Sequence, residues 1–393
     1  MRQREQAWAR SLNRRAAFRA MAGFVAGSPL LRSQQDPFRD HSRVPALNEL
    51  TDAFDFEAVA YAKVPRFAYD YTAYGADSEF TLRRNRQAFD WVDLVPNRIL
   101  GAGPMQTATE ILGTKMAFPI IVSPSATHCQ LHPDAEIGTF KGAMAASNTP
   151  YIVSNVTSTP FEKIAAAGKG PLWAQMYPKE TPEENREWLE RIQAAGAKAI
   201  VVTIDQQAPL HERALHDRHL GGPTPLSRRT APKNPYRIPE YRLFYSWKLF
   251  DEIRPIVKVP LLAKGINTAE DAKLCLEHGL DGIYVSNHGG RSLDYGPSTL
   301  EVLPEIVAAV GGKAPILFDS GVRRGTDALK ALALGANAVC LGRVPRWGLG
   351  AYGAPGVQRI LEIMQAELAQ AMAYTGRTTL ASLDRTIVRT DFS

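Results

Sequence analysis

A histidine and an arginine three residues apart mark the segment Ser286–Asp294, which reads Ser-Asn-His-Gly-Gly-Arg-Ser-Leu-Asp. The segment directly follows the apolar run Gly282–Val285, which predicts a buried strand. A neutral imidazole at His288 can accept a proton, and the guanidinium of Arg291 can bind a carboxylate through two hydrogen bonds. We therefore expect this strand end to carry acid–base chemistry on a substrate that bears a carboxylate.

Two further charged residues end apolar runs of their own. Lys264 follows Pro260–Ala263 and precedes a glycine, and Asp205 follows Ala199–Ile204. The Lys264 ammonium could stabilise negative charge on a cofactor, or it could form a Schiff base. The Asp205 carboxylate could orient the imidazole of His288 and stabilise its protonated form, or it could cap a helix.

A polar pair ends another apolar run, at 172–177. Gln175 and Tyr177 are two residues apart, so in a strand their side chains point to the same side. The amide and the phenol could there contact a heteroaromatic ring and a substrate oxygen.

Glycines and arginines at two neighbouring junctions indicate a phosphate site. The run at 315–319 leads into Gly321–Gly325 (Gly-Val-Arg-Arg-Gly), and the run at 338–341 leads into Gly342-Arg343. Glycine lets backbone N–H groups approach a phosphate, a helix N-terminus favours its charge, and an arginine adds a charged donor. No Gly-x-Gly-x-x-Gly pattern follows a first strand, so the sequence favours a mononucleotide-like phosphate.

The alternation of apolar runs with helical stretches predicts an α/β fold, a closed (β/α)8 TIM barrel. The predicted strands are 119–123, 151–154, 172–177, 199–204, 260–264, 282–286, 315–319 and 338–342. The predicted helices between them include 182–195, 268–278, 300–310 and 326–334, and an extension at 48–63 precedes the barrel. The long loop after strand four, 205–259, is expected to cover the active face. In such barrels the catalytic groups follow the strand C-termini and phosphate binds after strands seven and eight.

Composition and cysteine usage fit this reading. The chain has 393 residues, 45% hydrophobic and 22% charged, which one barrel with extensions accounts for. Its three cysteines are far apart and show neither metal-ligand spacing nor a disulfide framework.

The net charge of +6 is confined to residues 1–47, which hold nine arginines and three acidic residues. The remaining chain has 37 basic and 37 acidic side chains, which argues against a nucleic-acid-binding face. We interpret residues 1–47 as a basic leader and 48–393 as the barrel. Asn13–Arg19 resembles a twin-arginine export signal, and the alternative is a basic arm on a cytoplasmic protein. The apolar stretch Ala20–Leu31 is too short to span a membrane.

The segment Ser286–Asp294 together with 319–327 and 330–336 resembles the FMN-dependent α-hydroxy acid oxidase/dehydrogenase family. That family includes glycolate oxidase, lactate oxidase, flavocytochrome b2 and mandelate dehydrogenase. The resemblance covers about residues 48–390. It implies FMN as cofactor and a homotetramer, with oxidation of an (S)-2-hydroxy acid to the 2-oxo acid as the activity.

The resemblance also assigns roles to matching positions. It implies His288 as the base, Asp205 as its carboxylate partner, Arg291 and Tyr71 as carboxylate anchors, and Tyr177 as an active-site tyrosine. The residues implied for FMN are Pro124, Ser125, Ala126, Ser154, Gln175, Thr203, Lys264, Ser286, Asp319, Ser320, Gly321, Val322, Arg323, Gly342 and Arg343.

One departure concerns the second carboxylate-binding arginine of the family. After Asp205 the chain reads Gln-Gln-Ala-Pro-Leu-His-Glu-Arg, which places Glu212 at that position without a gap and Arg213 with one insertion. We assign the role to Arg213. Ala126 stands near the expected flavin N5 edge. Several oxidases of the family have alanine at this position, and so does a cytochrome-linked dehydrogenase. Oxygen and a respiratory-chain carrier therefore remain alternatives as the second acceptor.

Two other functions fit the residues without the resemblance. One is an aldolase or isomerase that binds a phosphate and forms a Schiff base at Lys264. The other is a barrel that binds phosphate-containing ligands without catalysis. A yellow purified protein would favour the flavin reading over both.

Overall fold

The computed structural model describes residues 43–97, 103–206 and 245–392. The barrel lies in the compact unit Ala46–Ser393. The predicted leader and most of the predicted active-face loop, including Arg213, lie outside the described residues.

An N-terminal layer precedes the barrel. It comprises the helices α1 (Ala53–Lys63), α2 (Arg66–Ala73) and α3 (Phe80–Gln87), the strand β1 (Val92–Leu94) and the hairpin of β2 (Thr109–Ile111) and β3 (Thr114–Met116). The predicted extension at 48–63 is wrong in its first residues. Leu47–Glu49 is a short 3-10 turn, and α1 begins after Asp52, whose side chain accepts from the backbone N–H of Asp55 while Asp55 accepts in return.

The described residues then form a closed barrel of eight parallel strands, as the sequence predicts. They are β4 (Ile120–Val122), β5 (Tyr151–Ser154), β6 (Leu172–Met176), β7 (Ile200–Thr203), β8 (Leu261–Ile266), β9 (Gly282–Val285), β10 (Ile316–Phe318) and β11 (Ala338–Leu341), and β12 (Val388–Thr390) pairs with β1 outside the barrel. Lys264 does not end its strand as predicted. β8 continues to Ile266 because Gly265, at a φ of 111°, carries an irregularity in the pairing with β9.

The barrel interior explains why these runs are strands. Every barrel strand contributes a buried side chain to one inner cluster, which consists of Ile121, Ile152, Trp173, Val201, Leu262, Tyr284, Leu317 and Cys340 together with residues of β2 and β3. Alternate residues of the same strands are buried against the surrounding helices, so the runs are apolar on both faces. The indole of Trp173 donates to Thr114 Oγ1 at 2.9 Å, which fixes the hairpin against this cluster.

Helices follow the strands. They are α4 (Ala135–Ala145), α5 (Phe161–Ala166), α6 (Pro182–Ala194), α7 (Lys248–Ile253), α8 (Ala269–Glu277), α9 (Thr299–Val310), α10 (Gly325–Ala333) and α11 (Arg343–Tyr374), the last with non-helical backbone at Tyr352 and Gly353. Thr181, Thr268 and Ser298 cap α6, α8 and α9 through their hydroxyl groups. Among the described helices, none has the length and apolar character needed to cross a membrane.

The N-terminal layer is fastened to the loop that follows β9. Asn85 of α3 and Asn287 exchange two side-chain hydrogen bonds of 2.8 Å while both are buried. Asp294 accepts from the backbone N–H groups of Ser78 and Thr81. These contacts hold α3 and the turn before it against the loop after β9.

Candidate active site

A cavity that is open to solvent lies at the C-terminal ends of the barrel strands. Its lining comprises Tyr71, Thr72, Ser123, Pro124, Ser125, Ala126, Ser154, Gln175, Tyr177, Thr203, Lys264, His288, Gly289, Arg291, Asp319, Ser320, Gly321, Val322, Arg323, Cys340, Gly342, Arg343 and Arg346. Most of the residues that the sequence singles out therefore meet in one place.

His288 and Asp205 form a hydrogen-bonded pair across two strand ends. Nδ1 of His288 lies 2.8 Å from Oδ1 of Asp205, and the carboxylate is buried behind the ring. Since Asp205 accepts through Oδ1, Nδ1 carries the proton and Nε2 is the basic nitrogen. His288 has a φ of 57°, an uncommon value for a residue other than glycine that marks local strain.

The pKa values of this pair favour a neutral ring beside a carboxylate anion. Burial lowers the pKa of His288, Asp205 raises it, and the nearby Lys264 and Arg291 lower it, so that it lies below the ordinary value. Burial raises the pKa of Asp205, but attraction from His288 and Lys264 outweighs burial and holds that pKa below the usual range. The pair can therefore accept a proton at Nε2 at neutral pH.

Lys264 is a buried cation with several polar neighbours. Its Nζ donates to Ser286 Oγ at 2.8 Å and lies 3.8 Å from Asp205 and 4.0 Å from Asp319. A position between two carboxylates suits charge stabilisation better than attack on a carbonyl. Ser286 itself also accepts from the backbone N–H of His288 at 3.1 Å, so it positions both groups.

On the barrel strands, two buried polar atoms of the cavity wall lack partners within the described part of the chain. They are Nε2 of Gln175 and Oγ1 of Thr203. Oε1 of Gln175 accepts from Ser154 Oγ at 3.0 Å, which fixes the amide with its NH₂ group available. Buried donors and acceptors are normally satisfied, so these atoms fit a polar heterocycle such as the flavin ring.

The turn after β10 has the backbone that a phosphate site requires. Gly321 has a φ of 88°, and a Cβ atom there would overlap the backbone carbonyl of Asn85. Ser320 also has a positive φ, of 86°. Arg323 lines the cavity with its Nη1 on the carbonyl of Val322 at 2.9 Å, and burial lowers its pKa. This donor set fits the phosphate of FMN.

Arg343 is engaged differently from the prediction. Its guanidinium donates to the carbonyl oxygens of Thr72, Gly289 and Tyr74 at 2.8, 3.0 and 3.2 Å. It thereby ties α2 to the loop after β9. A role at the phosphate stays a prediction for this residue.

Tyr71, Tyr177 and Arg291 line the same cavity. The guanidinium carbon of Arg291 lies 4.7 Å from the centre of the Tyr71 ring. Nη1 of Arg291 donates to the backbone carbonyls of Tyr71 and Tyr74, which orients the side chain toward the tyrosine.

Sequence reasoning missed one cavity residue in particular, Arg346. It stands three residues after Arg343 in the first turn of α11, a spacing that places both on one helix face. It also missed His128, whose ring lies between Ser125 Oγ at 2.7 Å and Thr139 Oγ1 at 2.8 Å. No local pattern marks His128, because both partners are brought to it by packing.

Comparison with known proteins places this geometry in a family. The model of the FMN-dependent dehydrogenases matches residues 60–390. The peroxisomal (S)-2-hydroxyacid oxidase GLO3 of Arabidopsis thaliana is 36% identical over 356 residues, covering 88% of this chain and 98% of the relative. Glycolate oxidase 1 of Zea mays is 36% identical over 359 residues, covering 88% and 97%. The crystal structure of a mandelate oxidase superposes with a TM-score of 0.80 at 32% identity, covering 88% and 99%. The chain belongs to the FMN-dependent dehydrogenase family.

Proposed function

We propose that the protein oxidises an (S)-2-hydroxy acid, similar to lactate, glycolate or mandelate, to the 2-oxo acid. The observation that carries the proposal is the His288–Asp205 pair in one cavity with Arg291 and Tyr71. A base and a carboxylate anchor in the same cavity suit the removal of a proton from a carboxylate-bearing substrate. The relatives from Arabidopsis thaliana and Zea mays are oxidases of such acids. Family membership also disfavours the Schiff-base and non-catalytic alternatives.

Each side chain has a part in this reaction. Arg291 binds the substrate carboxylate with Tyr71, and Tyr177 contacts a substrate oxygen. Nε2 of His288 takes the proton that leaves the substrate. The carboxylate of Asp205 then stabilises the imidazolium that results. Bound FMN supplies the acceptor for the hydride equivalent, at its N5 atom.

The cofactor would be held by the residues that surround it in the cavity. Lys264 places positive charge where negative charge grows on reduction, and Gln175 and Thr203 offer their unpartnered polar atoms to the ring. The other residues proposed to hold FMN are Pro124, Ser125, Ala126, Ser154, Ser286, Asp319, Ser320, Gly321, Val322, Arg323, Gly342 and Arg343.

The proposal is tested by reduction of bound flavin without oxygen. The wild type should lose its flavin absorbance in stopped flow with at least one of glycolate, L-lactate and (S)-mandelate. His288→Asn should keep FMN and lose about 10²–10⁴ in rate, because the base is gone while the cofactor contacts come from other strands. A His288→Asn protein that reduces its flavin at the wild-type rate would rule out the proposed base.

Assembly and the second acceptor belong to the same proposal. The family resemblance supports a homotetramer and lactate dehydrogenase activity with either oxygen or a respiratory-chain carrier as the final acceptor. Steady-state turnover of the wild type in oxygen, compared with turnover in a quinone analogue under nitrogen, decides between the two acceptors.

The leader supports export by a twin-arginine route to the periplasm. Replacing Arg14 and Arg15 by Lys keeps the charge and removes the paired guanidinium groups. The double variant should accumulate in the cytoplasm while the unaltered protein reaches the periplasm, as measured by fractionation. If the unaltered protein is confined to the cytoplasm, export is ruled out and residues 1–47 are interpreted as a basic arm.

A further inference from the structure

Arg346 is a buried cation in the wall of the cavity with hydrogen-bonding capacity to spare. Its side chain is 4% exposed. Nε donates to Thr72 Oγ1 at 3.1 Å, and Nη1 donates to the carbonyl of Ala126 at 2.6 Å. Nη2 is buried and has no partner among the residues that the structure describes.

A buried guanidinium is normally paired with a carboxylate, because leaving its charge uncompensated is costly. Within the described ranges no acidic side chain lies within 4 Å of Arg346. Glu136 attracts it from farther away but is itself held by Ser158 and by the backbone N–H of His128. Burial lowers the pKa of Arg346 to about 10, and repulsion from Arg291 contributes, yet at that value the side chain stays protonated at neutral pH.

Arg346 and Arg291 share one neighbour. Their guanidinium carbons lie 5.5 and 4.7 Å from the centre of the Tyr71 ring, and all three residues line the cavity. Two cations therefore flank the aromatic ring to which the proposed function assigns the substrate carboxylate. An anion bound beside the Tyr71 ring could therefore interact with both guanidinium groups.

We propose that Arg346 is a second carboxylate-binding arginine of the substrate site, acting with Arg291 and Tyr71. The carboxylate is either that of the 2-hydroxy acid group or the second one of a 2-hydroxydicarboxylic acid. The inference rests on the proposed function, since it needs a 2-hydroxy acid in the cavity. It also assigns the role of second carboxylate-binding arginine to a residue that the structure describes, independently of the role predicted for Arg213.

The test compares Arg346→Met, which keeps the length and apolar stem without the charge, with Arg346→Lys, which keeps the charge without the fork. Arg385→Met, at an exposed position near the C-terminus, is the matched control. Each protein is loaded with FMN and titrated with oxalate, an unreactive dicarboxylate, through the change in flavin absorbance. Anaerobic flavin reduction is then measured with L-lactate, L-malate, (S)-mandelate and methyl (S)-mandelate, an ester without the anionic group.

The charge-assisted hydrogen bonds of a buried arginine predict a loss of roughly 10- to 100-fold in oxalate affinity for Arg346→Met. Lys should restore part of the affinity, and Arg385→Met should match the wild type. A loss with lactate, mandelate and malate alike, absent with the ester, assigns Arg346 to the carboxylate of the 2-hydroxy acid group. A loss confined to malate and oxalate assigns it to a second carboxylate.

Unchanged affinity for oxalate and for all three acids in a variant that retains FMN overturns the inference. Loss of affinity for the ester as large as for the acid also overturns it, because a carboxylate contact cannot act there. If Arg346→Met does not retain FMN, Arg346→Lys decides on the same two criteria. A wild type that no 2-hydroxy acid reduces refutes the proposed function itself, which separates the two failures.

Discussion

His288 shows how a pKa is set by several neighbours at once. Burial, Lys264 and Arg291 favour the neutral ring, and Asp205 favours the protonated ring. The neutral form dominates at neutral pH, so the base is ready before substrate binds. The carboxylate then acts on the imidazolium that forms during the reaction. Since the pKa is below its ordinary value, flavin reduction should rise with pH below about 6.5 and level off above it.

Arg291→Lys tests the proposed role of Arg291 in binding the substrate carboxylate. A lysine keeps one positive charge but loses the fork that bonds two carboxylate oxygens at once. It also cannot maintain the bonds of Nη1 to the carbonyls of Tyr71 and Tyr74 in the same geometry. We expect KM to rise roughly 10- to 100-fold along with a lower rate, with FMN retained. Anaerobic reduction over a range of substrate concentrations separates the two effects, and an unchanged KM would contradict the assignment.

The residues that sequence reasoning found share a property that the missed ones lack. His288, Asp205 and Gln175 lie at or beside the ends of apolar runs, so the fold class alone predicts that they face the same cavity. Arg346 and His128 lie in helical turns, where the sequence does not show which side is buried. Their positions depend on side chains far away in the chain, Thr72 and Thr139 among them.

The turn between β10 and α10 is the element on which the phosphate assignment depends. Arg323 and Arg324 are adjacent in sequence but face different surroundings. Arg323 lines the cavity, whereas Arg324 pairs with Glu367 at 2.8 Å and with Asp52 at 3.5 Å. Consecutive arginines therefore provide a matched pair of variants.

Arg323→Ala should weaken FMN binding by roughly 10- to 100-fold, because it removes a charged donor from the proposed phosphate site. Arg324→Ala should leave FMN binding unchanged, since its loss affects only partly exposed ion pairs. The measurement is FMN retention after dialysis, followed by titration of the apoprotein with FMN. Equal retention in the two variants would place the phosphate elsewhere.

At the scale of strands and helices, the predictions are confirmed where the spacing of apolar residues and the length of the apolar run indicate the same element. The predicted barrel strands lie within two residues of the observed ones because each is apolar on both faces and bounded by polar turns. The errors have local causes. The capping box of Asp52 and Asp55 delays α1, and Gly265 lets β8 run past Lys264. Helix α2, which presents Tyr71, gives no strong signal because its eight residues are mostly polar or aromatic and follow a proline.

At the scale of the whole molecule, the N-terminal layer, which precedes the barrel in sequence, completes the site at the C-terminal ends of the barrel strands. The Asn85–Asn287 hydrogen bonds and the bonds of Arg343 to Thr72 and Tyr74 connect the N-terminal layer to residues more than two hundred positions later. Such contacts cannot be derived from local patterns, since no nearby residue predicts them. They make Tyr71 part of the same cavity as His288.

A buried polar cluster behind the cavity links the same architecture to stability in acid. His128 lies among Glu136, Tyr151 and Arg346. Burial and repulsion from Arg346 lower the pKa of His128 to about 3, against attraction from Glu136. The histidine of the unfolded chain has a pKa of about 6.5, so between pH 6.5 and 3 the unfolded state binds the proton more readily. The contribution of the neutral ring to stability is therefore complete above pH 6.5 and is lost as the pH falls toward 3.

His128→Gln should remove this acid dependence, because an amide does not titrate and can replace a hydrogen bond of the ring. The free energy of unfolding of the wild type should fall by up to about 1.4 kcal/mol per pH unit below pH 6.5 through this group. Urea unfolding at pH 7, 6 and 5 with excess FMN measures the slope, with His278→Gln, at a partly exposed histidine, as the control. The window stays above the range in which Glu136 titrates, since hydrogen bonds from Ser158 and from the backbone N–H of His128 outweigh burial and lower its pKa. A variant as acid-sensitive as the wild type would show that His128 is not the group that is protonated on unfolding.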